Sequence, residues 1–434
     1  MRVRTGLVAL VTFVLAAQVA HGPSTAGRSS TTGRSSSAAS PPAAGRHAIH
    51  AAVPAAAAKA SPAQLRAQFE QLLGQHTLHA VRLMRSAVSA GPDRQAAAAS
   101  LQQNTDALHE LVASAYGGVQ ADRFKQLWQD HIADLSSYAN GAANKDESAK
   151  QAARAALMAY CDAHGAWFAG ASKGRVLASD AAGGVRMHVE ELMSQVDAYA
   201  ARDYDQAYRI EREAYEHMFT AGATLAKASV TPELAVGFDA PPEKLRSAFA
   251  MLLGEHLELI IDAQRGTFAG SPEFEAAAAQ VNANTTALTQ AMGAIVGPRR
   301  AAEFQSAWAD HVEGLMAYTA AVAGGDGAGK ASAEKRLNRS AVALAVYFVR
   351  IVRSQLNPVS VTGALTMHDR HLTDHVDAYA AKDYDRAHQM ELEGYQQMLG
   401  VADTLVGAIQ RTVQPGLPVG GSQTGGGGTA PWPR

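Results

Sequence analysis

The sequence predicts an all-α protein built as two tandem antiparallel helical bundles of about six helices each, and three observations lead there. The 434 residues are 47% hydrophobic and rich in alanine, with sparse β-branched runs, which favours helix over strand. Apolar residues recur at helical spacing between glycine and proline punctuation. The chain also repeats itself. LRAQFEQLLGQH at 65–76 returns as LRSAFAMLLGEH at 245–256, and NTDAL at 104–108 as NTTAL at 284–288. MHVEELMSQVDAYAARDYDQA from Met187 returns as MHDRHLTDHVDAYAAKDYDRA from Met367. Each second copy lies 180 positions further on, so the halves align without a net gap and read as one unit used twice.

Taken in order, the start MRVRTGLVALVTFVLAAQVAHG has the form of a secretory leader over 1–20. Arg2 and Arg4 form its charged end, and the apolar stretch from Gly6 to Val19 is short for a span. Small residues at Ala16, Ala17 and Ala20 allow cleavage without a clean A-x-A, and an uncleaved amino-terminal anchor is the alternative. Residues 21–60 are Ser, Ala, Gly and Pro with scattered Arg, a composition expected to stay a disordered spacer. The first bundle is expected over 61–230, with helices at about 62–90, 93–115, 119–140, 147–170, 183–201 and 204–228. Its breaks fall at Gly91-Pro92, Gly117-Gly118, Asn140-Gly141 and Gly183-Gly184. Asp203, with Gln206 three residues on, forms a capping-box arrangement before the last helix. A linker over 231–240 contains Pro232 and Gly237 and runs into Pro241 and Pro242, which read as helix breakers. The second bundle follows over 241–412, and a Gly/Pro-rich tail expected to be disordered closes the chain at 413–434. Short connections between long amphipathic helices favour antiparallel neighbours.

A formal net charge of −2 offers neither a basic surface for nucleic acid nor an acidic excess for bulk cation binding. No stretch after the leader approaches the ~18 apolar residues of a membrane span. The single cysteine, Cys161, has no internal disulfide partner and lies in a helical pattern near Leu157 and Phe168 as a buried thiol.

The residues that stand out are polar ones on apolar faces. Phe69, Leu72, Leu73 and His76 form F-x-x-L-L-x-x-H, and Phe124, Leu127, Trp128 and His131 form F-x-x-L-W-x-x-H. The second copy carries Phe249, Leu252, Leu253 and His256, then Phe304, Ala307, Trp308 and His311. At about 100° per residue these fall on one face, so four helices aim an imidazole inward. His188 and His368 join them from the fifth helix of each unit, and Glu211 and Glu391 from the sixth. Buried unpaired polar groups cost ~1–3 kcal/mol each, so these should meet one another or a ligand. In the functional reading, His76, His131, His188 and Glu211 hold a transition-metal ion such as copper, zinc or iron, and His256, His311, His368 and Glu391 hold a second. In the structural reading they are a hydrogen-bond network that fixes helix register, with the glutamate on an imidazole.

Other candidates weigh less. His217 becomes Gln397 in the second copy, while His371 and His375 correspond to Glu191 and Gln195 and read as a solvated helix flank. Gly170-Ala171-Ser172-Lys173-Gly174 matches a nucleophile elbow in spelling, but follows a helix and becomes Arg350 to Ser354 in copy two. Asn104 and Asn284, and Asp197 and Asp377, read as buried or capping hydrogen-bond residues.

The combination LLGxH, NTxAL, the W-x-D-H of Trp128–His131, DAYAA-x-DYD and AYEHM resembles an exported, often duplicated helical-bundle family of Gram-positive bacteria. The resemblance covers nearly all of 61–412 and implies a helical fold and export. Some relatives bear the label copper amine oxidase, but such oxidases are β-rich with an Asn-Tyr-Asp/Glu cofactor motif, and this chain has no Asn-Tyr pair. The expected function is a non-enzymatic exported binding or scaffold protein with transition-metal binding in each bundle. A metal-dependent oxidoreductase and an extracellular structural spacer are the alternatives.

Overall fold

A computed structural model describes residues 60–413, and the expected leader, spacer and tail lie outside them save for Ala60 and Val413. Thirteen helices and no strand make up the described secondary structure. In the first half these are α1 (Pro62–Ser89), α2 (Arg94–Tyr116), α3 (Gly118–Asn144), α4 (Glu147–Ala171), α5 (Ala178–Ala200) and α6 (Tyr204–Ser229). One turn, α7 (Pro232–Ala235), leads to the second half. There follow α8 (Pro241–Ala269), α9 (Glu273–Val296), α10 (Pro298–Ala323), α11 (Gly327–Ile351), α12 (Pro358–Ala380) and α13 (Tyr384–Val413). No helix among the described residues is long and apolar enough to cross a membrane.

Local chemistry explains most boundaries. Ser61 caps α1 in a reciprocal box with Gln64, Pro62 sits in the first turn, and Ala90 ends the helix in the left-handed region at φ 52°. Asp203 caps α6 by accepting from the Gln206 amide at 3.1 Å. The prolines expected to keep helix out of the linker instead start helices, Pro232 in α7 and the Pro241 pair in α8. A first-turn proline loses no hydrogen bond, because that N–H has no partner in any helix.

Two glycine signals are not breaks. Gly141 lies inside α3, where an added Cβ would come within 2.9 Å of the Lys150 side chain and 3.0 Å of its backbone nitrogen. Its role is close approach to α4, so the helix runs on to Asn144. Gly183 and Gly184 lie inside α5, which begins at Ala178. Gly165 of α4 fixes that early start, since a Cβ there would fall 2.5 Å from the Ala178 carbonyl oxygen. At Gly141 and Gly165 the close helix crossing outweighs the ~1 kcal/mol that an interior glycine costs relative to alanine.

Positions 180 apart take matching places. Asn104 donates to the Leu72 carbonyl and Asn284 to that of Leu252, both at 2.9 Å. The Tyr138 hydroxyl donates to Asp197 at 2.8 Å and Tyr318 to Asp377 at 2.9 Å. Each half has an aromatic-aliphatic core: Phe69, Leu73, Phe124, Trp128 and Phe168 in the first, Phe249, Leu253, Phe304, Trp308 and Phe348 in the second.

The halves also pack on one another, and the described residues form one compact unit. The contact is reciprocal, α2 lying against α13 and α9 against α6. Tyr215 meets its own counterpart Tyr395, hydroxyl to hydroxyl at 2.8 Å, as expected on a pseudo-twofold axis. α1 and α8 run through the middle, and every residue of Leu73–Ser86 and of Leu253–Gly266 is buried. One side of each central helix serves its own bundle and the other faces the opposite half.

Candidate metal centres and the interface between the halves

α1, α3 and α5 carry His76, His131 and His188 to one point in the first core. α8, α10 and α12 carry His256, His311 and His368 to the matching point in the second. Within each triad one nitrogen from every ring lies within 4.8 Å of the others, and all six rings are buried. Helical spacing does this work: in α3, Phe124, Trp128 and His131 stack up one face, with Trp128 and His131 centroids 4.6 Å apart.

In the first triad His76 Nε2 and His131 Nε2 are 3.3 Å apart, and Trp128 lies 4.4 Å from the His76 ring. His131 stacks on Tyr160 at 4.7 Å and an interplanar angle of 12°. Burial holds His76 and His131 well below the ordinary imidazole range, the neighbouring histidines adding to this for His76. His188 is pushed down to about 3, again chiefly by desolvation. In the second triad the ring centroids are 5.3 to 5.8 Å apart, with Trp308 4.6 Å from His256. Burial lowers His256 and His368 in the same way. Such neutral rings present free lone pairs, the state a metal requires. Imidazole suits zinc, copper and iron. A tetrahedral site with bonds of ~2.0–2.1 Å has nitrogen–nitrogen edges of about 3.3 Å, which the His76–His131 pair already matches.

Glu211 and Glu391, expected beside the histidines, are not there. Both sit at the interface of the halves, Glu211 hydrogen-bonded to Arg85 and Glu391 to Arg82 and Arg265. Two inward directions exist on α6 and α13, and arginine captures the carboxylates on the one facing the other half. Around them lies a buried charge network. Arg82 pairs with Glu258 at 3.0 Å and with Asp262 at 2.8 Å, while Arg85 bonds Asp262 at 3.0 Å and covers the Tyr208 ring at 4.0 Å. Arg265 bonds Glu391 at 3.0 Å and lies 3.3 Å from Asp93, which also meets His388 at 3.2 Å. The two glutamates differ for a physical reason. Glu391 has two arginines that outweigh desolvation and is held well below the carboxylate range. Burial outweighs the pull of Arg85 on Glu211, which rises to about 7 with Asp262 adding repulsion.

His375 is not on a solvated flank either. It is buried, with Nδ1 3.1 Å from Gln264 and Nε2 3.4 Å from Arg265. His371 is partly buried and touches Gln397 at 3.2 Å, and His217 pairs with Glu191. Ser172 ends α4, its hydroxyl donating to the Ala169 carbonyl and accepting from the Val176 amide. Cys161 is buried and its thiol is pushed up to about 11 by desolvation.

The sequence reading missed the interface arginines, although Arg85 and Arg265 occupy equivalent positions and the internal comparison applied to cations picks them out. It also missed His164, whose ring nitrogens are both buried without a partner, and Asp369, which bonds His311 Nδ1 at 3.0 Å. Neither recurs in the other half, where Leu344 and Val189 stand instead.

Comparison with family models, curated proteins and solved structures finds no match to this chain.

Proposed function

We propose that the chain is an exported, non-enzymatic helical protein that binds one transition-metal ion in the core of each half. His76, His131 and His188 are the ligands in the first half, and His256, His311 and His368 in the second. One observation carries this reading: three buried imidazoles converge in each core and, apart from the His76 Nε2–His131 Nε2 contact and the Asp369 bond to His311 Nδ1, their nitrogens have no hydrogen-bond partner. His188, His256 and His368 lack a partner at both nitrogens, His76 and His131 at Nδ1, and His311 at Nε2. A hydrogen-bond network would give them partners. Buried groups left unpaired cost ~1–3 kcal/mol each, which a bound metal removes. Neutral three-imidazole sites favour zinc, copper or iron over calcium or magnesium, which take oxygen ligands. Export rests on the leader-like start with Arg2 and Arg4, and on the resemblance to exported tandem bundles.

The test is metal content of the full chain, purified without chelator and then loaded with copper or zinc. One ion per half is expected, with copper(II) quenching the fluorescence of Trp128 and Trp308, which lie 4.4 and 4.6 Å from His76 and His256. H131A together with H311A should abolish retention and quenching while circular dichroism keeps its helical signal. If the wild-type chain retains no metal and the double variant loses only stability, the histidines are structural and the proposal fails.

A further inference from the structure

The two triads are not equivalent, and the difference lies in what stands beside them. In the first half, Tyr160 stacks on His131, and His164 follows one turn on at 5.6 Å from the Tyr160 ring. The second half has Ser340 and Leu344 at those positions. Ser340 turns its hydroxyl back to the Leu337 carbonyl, at 2.9 Å. With two rings gone from α11, an apolar cavity of about 20 Å³ remains against the second triad. Its walls include Phe304, Trp308, Leu344 and Phe348, and its polar margin is His311, His368 and Asp369. Asp369 holds His311 by Nδ1, so that Nε2, which has no partner, is the nitrogen left for coordination. A carboxylate behind a ligating imidazole fixes the tautomer and raises ligand basicity.

Resting on the metal-binding reading above, we propose that the second centre is an open site. Its metal, held by His256, His311 and His368, takes a small neutral diatomic ligand of the size of dioxygen in the adjoining cavity. The first centre, walled by Tyr160, is closed to such a ligand. The cavity exceeds the ~10–15 Å³ that one water occupies by the same measure, and its apolar walls favour a neutral guest over an ion. Metal sites with three protein ligands and an accessible fourth position are the ones that take up exogenous molecules.

Carbon monoxide binding to the copper(I)-loaded full chain, read by its infrared carbonyl stretch and by gas titration, tests this. One carbon monoxide per chain is expected although an ion sits in each half. L344F, which fills the cavity, should lower uptake at least tenfold and leave metal content unchanged. Y160S, which imitates the second half, should add a second carbonyl band, so the inference stays testable if L344F fails to fold. A chain that holds an ion in each half but binds carbon monoxide at both sites, or at neither, overturns this inference and leaves metal binding standing. A chain that holds no metal overturns both.

Discussion

Replacing Arg82 by alanine tests whether buried charge holds the halves together. The guanidinium is 8% exposed and lies between Glu258, Asp262 and Glu391, all 8% exposed or less. Removing it leaves carboxylates facing one another out of water, and breaking a buried pair in this way costs ~3–5 kcal/mol. Proton uptake limits that cost. Neutralising a carboxylate of ordinary pKa ~4.3 at pH 7 takes about 3.7 kcal/mol, and at pH 5 about 1 kcal/mol. Burial already pushes Glu258 well above the carboxylate range, so Glu391, held low by Arg82 and Arg265, is the group that changes most. The sign follows. In the wild type, the depressed Glu391 contributes stability that is present above its ordinary pKa and lost as pH falls. R82A gives up much of that contribution, so its deficit should be about 3–4 kcal/mol at pH 7 and about 1 kcal/mol at pH 5. Urea unfolding at both pH values measures it. Equal deficits at the two pH values, or a deficit under ~1 kcal/mol at pH 7, would show that the network is solvated and that Arg82 does not join the halves.

Two further perturbations address neighbouring features. Glu211, raised to about 7 by burial, contributes stability that is complete below the ordinary glutamate pKa and is lost as pH rises through about 7. Between pH 5 and 8 thermal scans should show a fall of up to about 3 kcal/mol that E211Q flattens, and an unchanged slope in E211Q would exclude this group as its source. At Gly222 a Cβ would lie 2.6 Å from the Glu70 backbone nitrogen, whereas Ala402 occupies the equivalent place in the second half. G222A should therefore cost about 1–3 kcal/mol by forcing α1 and α6 apart, and a neutral result in denaturant titration would contradict that contact.

Much of the fold was legible because glycine, proline and the 180-residue repeat punctuate the helices independently of packing. Six long helices per half follow from those signals alone. The reading slipped at Gly141, where local conformation was asked to predict a tertiary crossing, and at Gly183-Gly184, where α5 runs through two glycines at which an added Cβ would meet nothing within 4 Å. The convergence of His76, His131 and His188 was legible because one helical face points to one bundle core. The placement of Glu211 and Glu391 was not, because α6 and α13 face two interiors and periodicity does not say which. The same ambiguity hid His375. A helix buried all round, such as α1 over Leu73–Ser86, loses the polar stripe by which amphipathic reasoning finds solvent.

The pseudo-twofold relation imposes a chemical rule on whatever lies near its axis, since such a residue confronts its own counterpart. Identical cations or anions would repel each other in a dry interface, so a repeated sequence must differ there or use a self-complementary group. Both solutions occur. Position 82 is arginine while its counterpart 262 is aspartate, and the two pair at 2.8 Å. Position 215 is tyrosine in both halves, because a hydroxyl donates and accepts at once. The glycine of LLGxH belongs to the same constraint. A Cβ at Gly254 would fall 2.6 Å from the Tyr215 oxygen and 2.8 Å from the Tyr395 ring, and one at Gly74 2.8 Å from the Tyr215 ring. The glycine leaves room for the tyrosine pair, and two residues along the same motif His76 or His256 turns the opposite way, into its own bundle. LLGxH thus serves both interiors at once, its glycine shaping the joint between the halves and its histidine supplying the proposed metal centre.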